Sequence, residues 1–305
     1  MNKSIKVAVI IPCFKVAKHI SLVLSKIGPE VDLIYLVDDA CPQNSATFGA
    51  NNFLDPRVRV IKHSKNRGVG AAVMSGYKQA LLDKATILIK LDGDGQMDPS
   101  YIPSLIYPIL TGTADYTKGN RFFFLGDIGE MPNIRIFGNA VLSFFTKISS
   151  GYWNVFDPTN GYTAIHSCVA KRIPFDKVSQ RYFFETDILF RLNTLKAVVV
   201  DVPIPSIYAD EVSNLKVSKV AWEFFFKNIT NMMKRIFYNY YLRDMSPASF
   251  ELPLGLFLFI FGLCYGSYSW IESSKAAHIT PPWHSYDFCI ATHHRHTVNF
   301  IFFGI

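Results

Sequence analysis

The chain has 305 residues, half of them apolar and 15% aromatic, and a net charge of +7. That length buries a full core with room for something smaller beside one domain, and the apolar fraction excludes a disordered chain. A basic balance suits anionic partners, whether nucleic acid, phosphorylated substrates or a membrane surface, without choosing among them. In chain order, the first half alternates short β-rich runs with helical stretches. The runs are Val7–Ile11, Leu33–Val37, Val58–Ile61 and Ile87–Leu91, and the helical patterns between them are Lys15–Ile27, Ala46–Phe53 and Gly70–Asp83. That rhythm is the βαβ signature of a mostly parallel sheet flanked by helices, an α/β fold. The first run is too short for a signal peptide and ends at Pro12-Cys13, read as a break in the strand. The stretch 115–205 is less regular. It holds the aromatic run Phe122–Phe124, a helix over Ile134–Ser149, a turn at Asp157–Gly161, a helix around Phe184–Leu195 and a strand at Ala197–Val202.

The composition then changes. From Lys216 to Arg243 six Lys/Arg stand against one acidic residue, interleaved with Trp222, Phe224–Phe226, Met232, Met233 and Phe237. A basic, aromatic, helix-length stretch reads as an interfacial segment. Leu252–Ile271 follows, twenty residues without a charge, flanked by Glu251 and Glu272. That length spans a bilayer's hydrocarbon core. Basic residues precede the span, which points the globular half to the cytoplasm. Their clustering beside it argues for a membrane partner and against nucleic acid. The five cysteines are odd in number and lack metal-ligand spacing, so they read as free thiols in a reducing compartment.

Two runs close on acidic clusters, Asp38-Asp39 and Asp92-Gly93-Asp94. Ligands of open α/β sheets bind at the carboxyl ends of the strands, so the clusters are expected to converge on one edge, at the ends of neighbouring strands. Two carboxylates one residue apart suit Mg²⁺ or Mn²⁺, which prefer oxygen ligands and leave positions open for phosphate. An EF-hand is excluded by Met97 and Pro103, where its Gly and Glu should stand. Gly68-Val69-Gly70 lacks the third glycine of a dinucleotide fingerprint, and no Walker A motif is present.

Several motifs together carry a resemblance: Val9-Ile10-Ile11-Pro12-Cys13-Phe14, Val37-Asp38-Asp39, Asn66-Arg67-Gly68-Val69-Gly70-Ala71, Leu91-Asp92-Gly93-Asp94-Gly95-Gln96-Met97-Asp98-Pro99, Gly119-Asn120-Arg121 and Asp157-Pro158-Thr159-Asn160-Gly161-Tyr162. In this order they resemble the family 2 glycosyltransferases of GT-A fold, and among them the polyprenyl-phosphate glycosyltransferases, over about residues 5–271. The resemblance implies a nucleotide-sugar donor, UDP- or GDP-linked, and a polyprenyl phosphate or other lipid-linked acceptor. It implies that Pro12, Asp38 and Asp39 line the base and ribose pocket, with Gly68 and Gly93 in the donor cradle. Asp92, Asp94 and Gln96 would hold Mg²⁺ or Mn²⁺ on the diphosphate, and Arg121 and Arg135 would meet phosphate charge. The Asp157–Tyr162 turn with Glu185 and Asp187 would shape the sugar and acceptor pocket, and attack would be in line with inversion. A hydroxyl acceptor would need a base, for which Asp157, Glu185 or Asp187 are the candidates; a phosphate acceptor, already largely ionised at neutral pH, needs positioning instead. Relatives suggest a homo-oligomer.

The chain departs from the lipid-phosphate pattern after Val202-Pro203, where Asn214 stands in place of a lysine and no arginine precedes Ser213. Ser213 and Lys216 are the acceptor-phosphate candidates there, and a hydroxyl acceptor on a lipid-linked saccharide or growing glycan is the alternative. The expected domains are a glycosyltransferase domain at 1–210, basic aromatic juxtamembrane helices at 211–250, a transmembrane helix at 251–272 and an atypical tail at 273–305. Relatives of this type usually carry a second membrane helix. From Trp283 onward, codons read one base later can encode an apolar segment of spanning length. The tail, with His293, His294 and His296, is therefore read as the product of a frameshift and not as a metal site.

Overall fold

The computed structural model describes residues 5–123, 133–158, 160–205 and 217–276. Seven strands form one mixed sheet: β1 (Val7–Cys13), β2 (Leu33–Asp38), β3 (Val58–Lys62), β4 (Ile87–Lys90), β5 (Tyr116–Asn120), β6 (Thr163–His166) and β7 (Val199–Pro203). Their spatial order is β3-β2-β1-β4-β6-β5-β7. All pairings are parallel except those of β6, which runs antiparallel to both β4 and β5. The central strands are apolar on both faces because both faces are covered. On β1, Ala8 and Ile10 enter one core with α3 (Val69–Leu82) and α7 (Phe184–Thr194). Val7, Val9 and Ile11 enter the other, with α1 (Ile20–Ser25), α2 (Ser45–Asn52) and α4 (Ile102–Leu110).

Two expectations change. β1 does not break at Pro12: it runs on to Cys13, where it pairs with Asp38 of β2. Its pairing with β4 ends at Ile10, so beyond that point β1 has one neighbour, and a residue lacking an N–H is tolerated there. For the same topological reason the two acidic clusters do not end neighbouring strands. They follow β2 and β4, with β1 between them.

α5 (Asn133–Ser150) and α8 (Val217–Phe237) are two long helices of the second half, and α6 (Ser167–Ala170) is one short turn. Phe145 of α5 meets Phe225 of α8 edge-on at 5.4 Å, and Ser149 donates to Asn228 Oδ1 at 2.5 Å. The chain divides into two compact units, one through Met232 and one from Met233. The second contains a π-helical turn at Tyr238–Arg243 and the helix α9 (Pro247–Ala276), which is long and apolar enough to cross a membrane. Its thirty residues span about 45 Å. Leu254, Phe257, Ile260 and Phe261 are among its exposed side chains, an apolar surface that water does not favour. The proposed frameshifted tail lies outside the described residues. Cys13, Cys41, Cys168 and Cys264 are free thiols, as expected.

α3 sits against β1 at Gly76, where an added Cβ would collide with Ile10. Gly76→Ala gains about 1 kcal/mol of helix propensity but overpacks the core by roughly 1–3 kcal/mol. The clash reaches a strand buried on both faces, so the loss dominates, and the melting temperature of the purified protein should fall by several degrees. An unchanged or raised melting temperature would show that α3 lifts away at no cost.

Candidate active site

The carboxyl ends of β1, β2 and β4 deliver most of the predicted donor-site residues to one edge. Asp38 closes β2. Its Oδ1 accepts the Cys41 N–H at 2.7 Å, while its buried Oδ2 has no partner. Asp39 accepts the backbone N–H groups of Arg67 and Gly68 at 2.8 and 2.7 Å. His63 Nδ1 lies 2.8 Å from its Oδ1, and His63 Nε2 lies 2.9 Å from Ser75 Oγ. This carboxylate therefore ties the end of β2 to the loop entering α3, beside Pro12.

Asp92 follows β4 by two residues. Its Oδ2 accepts a hydrogen bond from Lys90 Nζ at 2.7 Å, and the same ammonium lies 3.3 Å from Glu185 Oε1. Asp94 Oδ1 accepts the Gln96 N–H at 3.0 Å, which folds the loop back on itself. Asp92, Asp94 and the Gln96 amide stand at alternate positions of this loop and offer oxygen, the donor type a hard divalent cation prefers; among the described residues no group of three His, Cys, Asp or Glu is gathered as a metal site. Gly93 keeps the loop close against the sheet, where an added Cβ would press on Val16 and Ile11.

Lys90 is one member of a row. Strand register sets Lys90 beside Thr163, Thr163 beside Lys118 and Lys118 beside Asp201, across four strands. Register partners share a face of the sheet, so two lysines project from it into the interior. Lys118 donates to the Asn160 carbonyl. α7 delivers Glu185 to the same spot from its first turn. Burial works against the charge on Lys90, but the Asp92 and Glu185 carboxylates outweigh it and raise its pKa. Burial pushes the Lys118 ammonium down and Glu185 up, the latter against the pull of both lysines.

The Asp157 turn closes the other side. Arg121 grips Asp157 as a fork, Nε to Oδ2 at 2.7 Å and Nη2 to Oδ1 at 3.1 Å. Tyr162 Oη donates to the Asp98 carbonyl at 3.1 Å, which joins this turn to the loop that follows Asp92. Asp187, nominated beside Glu185, is engaged in packing. It accepts from Ser179 N at 2.9 Å, from Arg191 at 3.2–3.3 Å and from Asn231 Nδ2 at 3.1 Å. With Asp157 forked to Arg121 as well, Glu185 is the nominated carboxylate that sits on the Asp92 side of the site. Arg135 falls in the first turn of α5, and Ser213 and Lys216 lie outside the described residues.

Sequence reading passed over Lys90, Lys118 and His63. The available signal was a lysine lodged within the apolar run Ile87–Leu91 and another immediately before Gly119-Asn120-Arg121.

The sheet order, with its paired acidic clusters at one edge, is that of a GT-A nucleotide-sugar fold, and residues 8–173 match the model of a known family, described as "Glycosyl transferase family 2". The chain belongs to this family. Among relatives of this family 2 glycosyltransferase, the UDP-N-acetylglucosamine–dolichyl-phosphate N-acetylglucosaminyltransferase of Methanococcus voltae is 30% identical over 66% of this chain and 85% of its own length. The undecaprenyl-phosphate mannosyltransferase of Micrococcus luteus is 29% identical over 65% of this chain and 82% of its own. Among solved structures, glucosyl-3-phosphoglycerate synthase from Mycobacterium tuberculosis, in complex with Mn²⁺, UDP and phosphoglyceric acid, aligns over 76% of this chain and 78% of its own. Its TM-score is 0.57 at 15% identity, a likeness of fold.

Gly161 packs its Cα against the buried cluster. A Cβ there would fall on Lys90 Nζ and crowd Glu185 Oε1 and Asp92 Oδ2. Gly161→Ala should therefore lower sugar transfer by about 100-fold, since a displacement near 1 Å in a positioned site costs that much. Steady-state kinetics alongside a melting curve separate this from simple unfolding, and near-normal turnover would mean that the cluster tolerates displacement.

Proposed function

We propose that this transferase moves a sugar from a nucleotide-sugar onto a polyprenyl phosphate at the cytoplasmic face of a membrane, with inversion and with a divalent cation on the donor diphosphate. The observation that carries the donor half is the pair of acidic clusters on the two sides of β1, with Asp92 and Asp94 in the loop that follows β4. The acceptor half is supported by the names of the relatives, which specify dolichyl and undecaprenyl phosphate for those proteins. It is also supported by the apolar helix α9 and by an exposed aromatic face on α8, where Trp222, Phe226 and Ile229 recur at helical spacing. The basic residues before α9 favour the cytoplasmic orientation.

In this reading Asp38 and Asp39 hold the nucleoside, and Asp39 is kept in place by the two amides and His63. Asp92, Asp94 and Gln96 would hold the cation, whose chemistry when bound is to neutralise charge growing on the leaving diphosphate. Arg121, held by Asp157, would meet phosphate charge. Its planar fork stays charged at any working pH. A lipid phosphate needs no general base, so Glu185 serves in orientation. The second reading, a hydroxyl acceptor, is favoured by one observation. Burial raises the Glu185 carboxyl from its ordinary value, against the pull of Lys90 and Lys118, which is the direction that suits a general base.

Membranes containing the protein, supplied with radiolabelled UDP- and GDP-sugars and undecaprenyl phosphate, should form a glycolipid in Mg²⁺ or Mn²⁺ and none in EDTA. Asp94→Ala should reduce the rate by about 1,000-fold, the scale of losing a principal electrostatic stabiliser. Transfer to a lipid-linked saccharide but not to the phosphate would select the hydroxyl reading. Transfer undiminished by EDTA would remove the cation.

A further inference from the structure

Asp92, read as a cation ligand, does not stand alone: Lys90 is paired with one of its oxygens. We infer that Lys90 is a built-in counter-cation that restrains Asp92 toward Glu185 and keeps the Asp92–Asp94 loop from holding a divalent ion firmly until the donor diphosphate arrives. This rests on the reading of Asp92 and Asp94 as cation ligands and adds a positioning residue to it.

Three observations carry the inference. The contacts are direct, at 2.7 Å to Asp92 Oδ2 and 3.3 Å to Glu185 Oε1, so a single ammonium bridges a donor-side and an acceptor-side carboxylate. The ammonium also has nowhere to go. Its side chain is 3% exposed, the Phe184 ring lies 5.8 Å away, and the Gly161 backbone occupies the space where any larger residue would displace it. Finally, charge at that depth is poorly screened by salt. A divalent ion approaching Asp92 therefore meets a fixed positive charge close by.

Lys90 faces Asp92 and Glu185, while Lys118 faces Glu185, Asp157 and Asp201, with Asp157 also forked to Arg121. One oxygen of Asp92 is therefore matched by an ammonium before any cation arrives. That leaves little unmatched charge at Asp92 for a divalent cation, which sites of high affinity meet with several uncompensated carboxylates. A nucleoside diphosphate brings the missing negative oxygens, so cation and donor bind best as a pair. Lys90 would thus make occupation of the site conditional on substrate, and its hold on Glu185 would fix the orientation of both carboxylates.

The test is binding of Mn²⁺ alone to the full chain in detergent, followed by the electron paramagnetic resonance of the free ion. Lys90→Met should bind Mn²⁺ at least tenfold more tightly than the wild type. Glu185→Gln, which keeps the ammonium, should not tighten binding. The double variant Lys90→Met/Glu185→Gln removes the buried pair together, which guards against misfolding of the single change, and it should bind more tightly than Glu185→Gln alone. If the wild type binds Mn²⁺ and both Lys90 variants, with near-native melting, bind it no more tightly, the inference is overturned and the cation reading stands. Absence of Mn²⁺ binding in every variant and in the wild type, even with UDP or GDP added, overturns both.

Discussion

Withdrawing an ammonium and its carboxylate partners from water costs several kcal/mol per ion, and the attraction between them repays that only when the geometry is tight. The Lys90–Asp92–Glu185 contact meets the condition through pieces that arrive from far apart in the chain. β4 supplies the lysine and the loop after it, β6 supplies the bare backbone of Gly161 just ahead of its first residue, and the opening turn of α7 supplies the glutamate. Misplacing any of the three would leave a buried charge without a partner, which is far more costly than losing a surface ion pair. The antiparallel insertion of β6 between β4 and β5 is what brings the Asp157 turn over the end of β4. Much of the layout of the cleft follows from this contact.

The first four strands were legible to within two residues: β1, β2 and β4, buried on both faces, read as near-continuous apolar runs, and the edge strand β3 was marked by its β-branched Val58, Val60 and Ile61. β5 and β6 were not. Tyr116–Asn120 and Thr163–His166 mix polar residues (Thr117, Lys118 and Asn120; Thr163 and His166) among the apolar ones, so neither alternation nor a continuous run marks them. α4 was missed because Pro103 and Pro108 interrupt its pattern; Pro103 occupies the permissive first turn, and Pro108 lies close to the end. The acidic motifs were readable because two carboxylates after a strand are conspicuous. Their true spacing was not, since the order of strands across a sheet is a long-range property that local pattern does not contain. Lys90 was hidden for a different reason. A lysine in a sequence reads as surface, and only the register across β4, β6 and β5 puts it in a row with Thr163 and Lys118, and only the fold brings Glu185 to it.

The carboxylates of the second half divide by what surrounds them. Glu185 and Asp187 are two residues apart on one helix, a spacing that turns them to different sides. One meets the end of β4. The other binds Ser179, Arg191 and Asn231 and so fastens α8 to the sheet domain. The residue type alone does not distinguish a carboxylate that lies at the site from one engaged in packing, whereas the partners each one already holds do.

The phenol of Tyr162 reaches the Asp98 carbonyl and joins the loop after Asp92 to the turn after Asp157. For anyone redesigning the enzyme to accept a different sugar, this makes the two loops a single transplantable part. A loop borrowed from another family member to alter the donor pocket would arrive without its tether unless the second segment travelled with it, and chimeras that exchange both together keep the brace that a one-loop swap would cut.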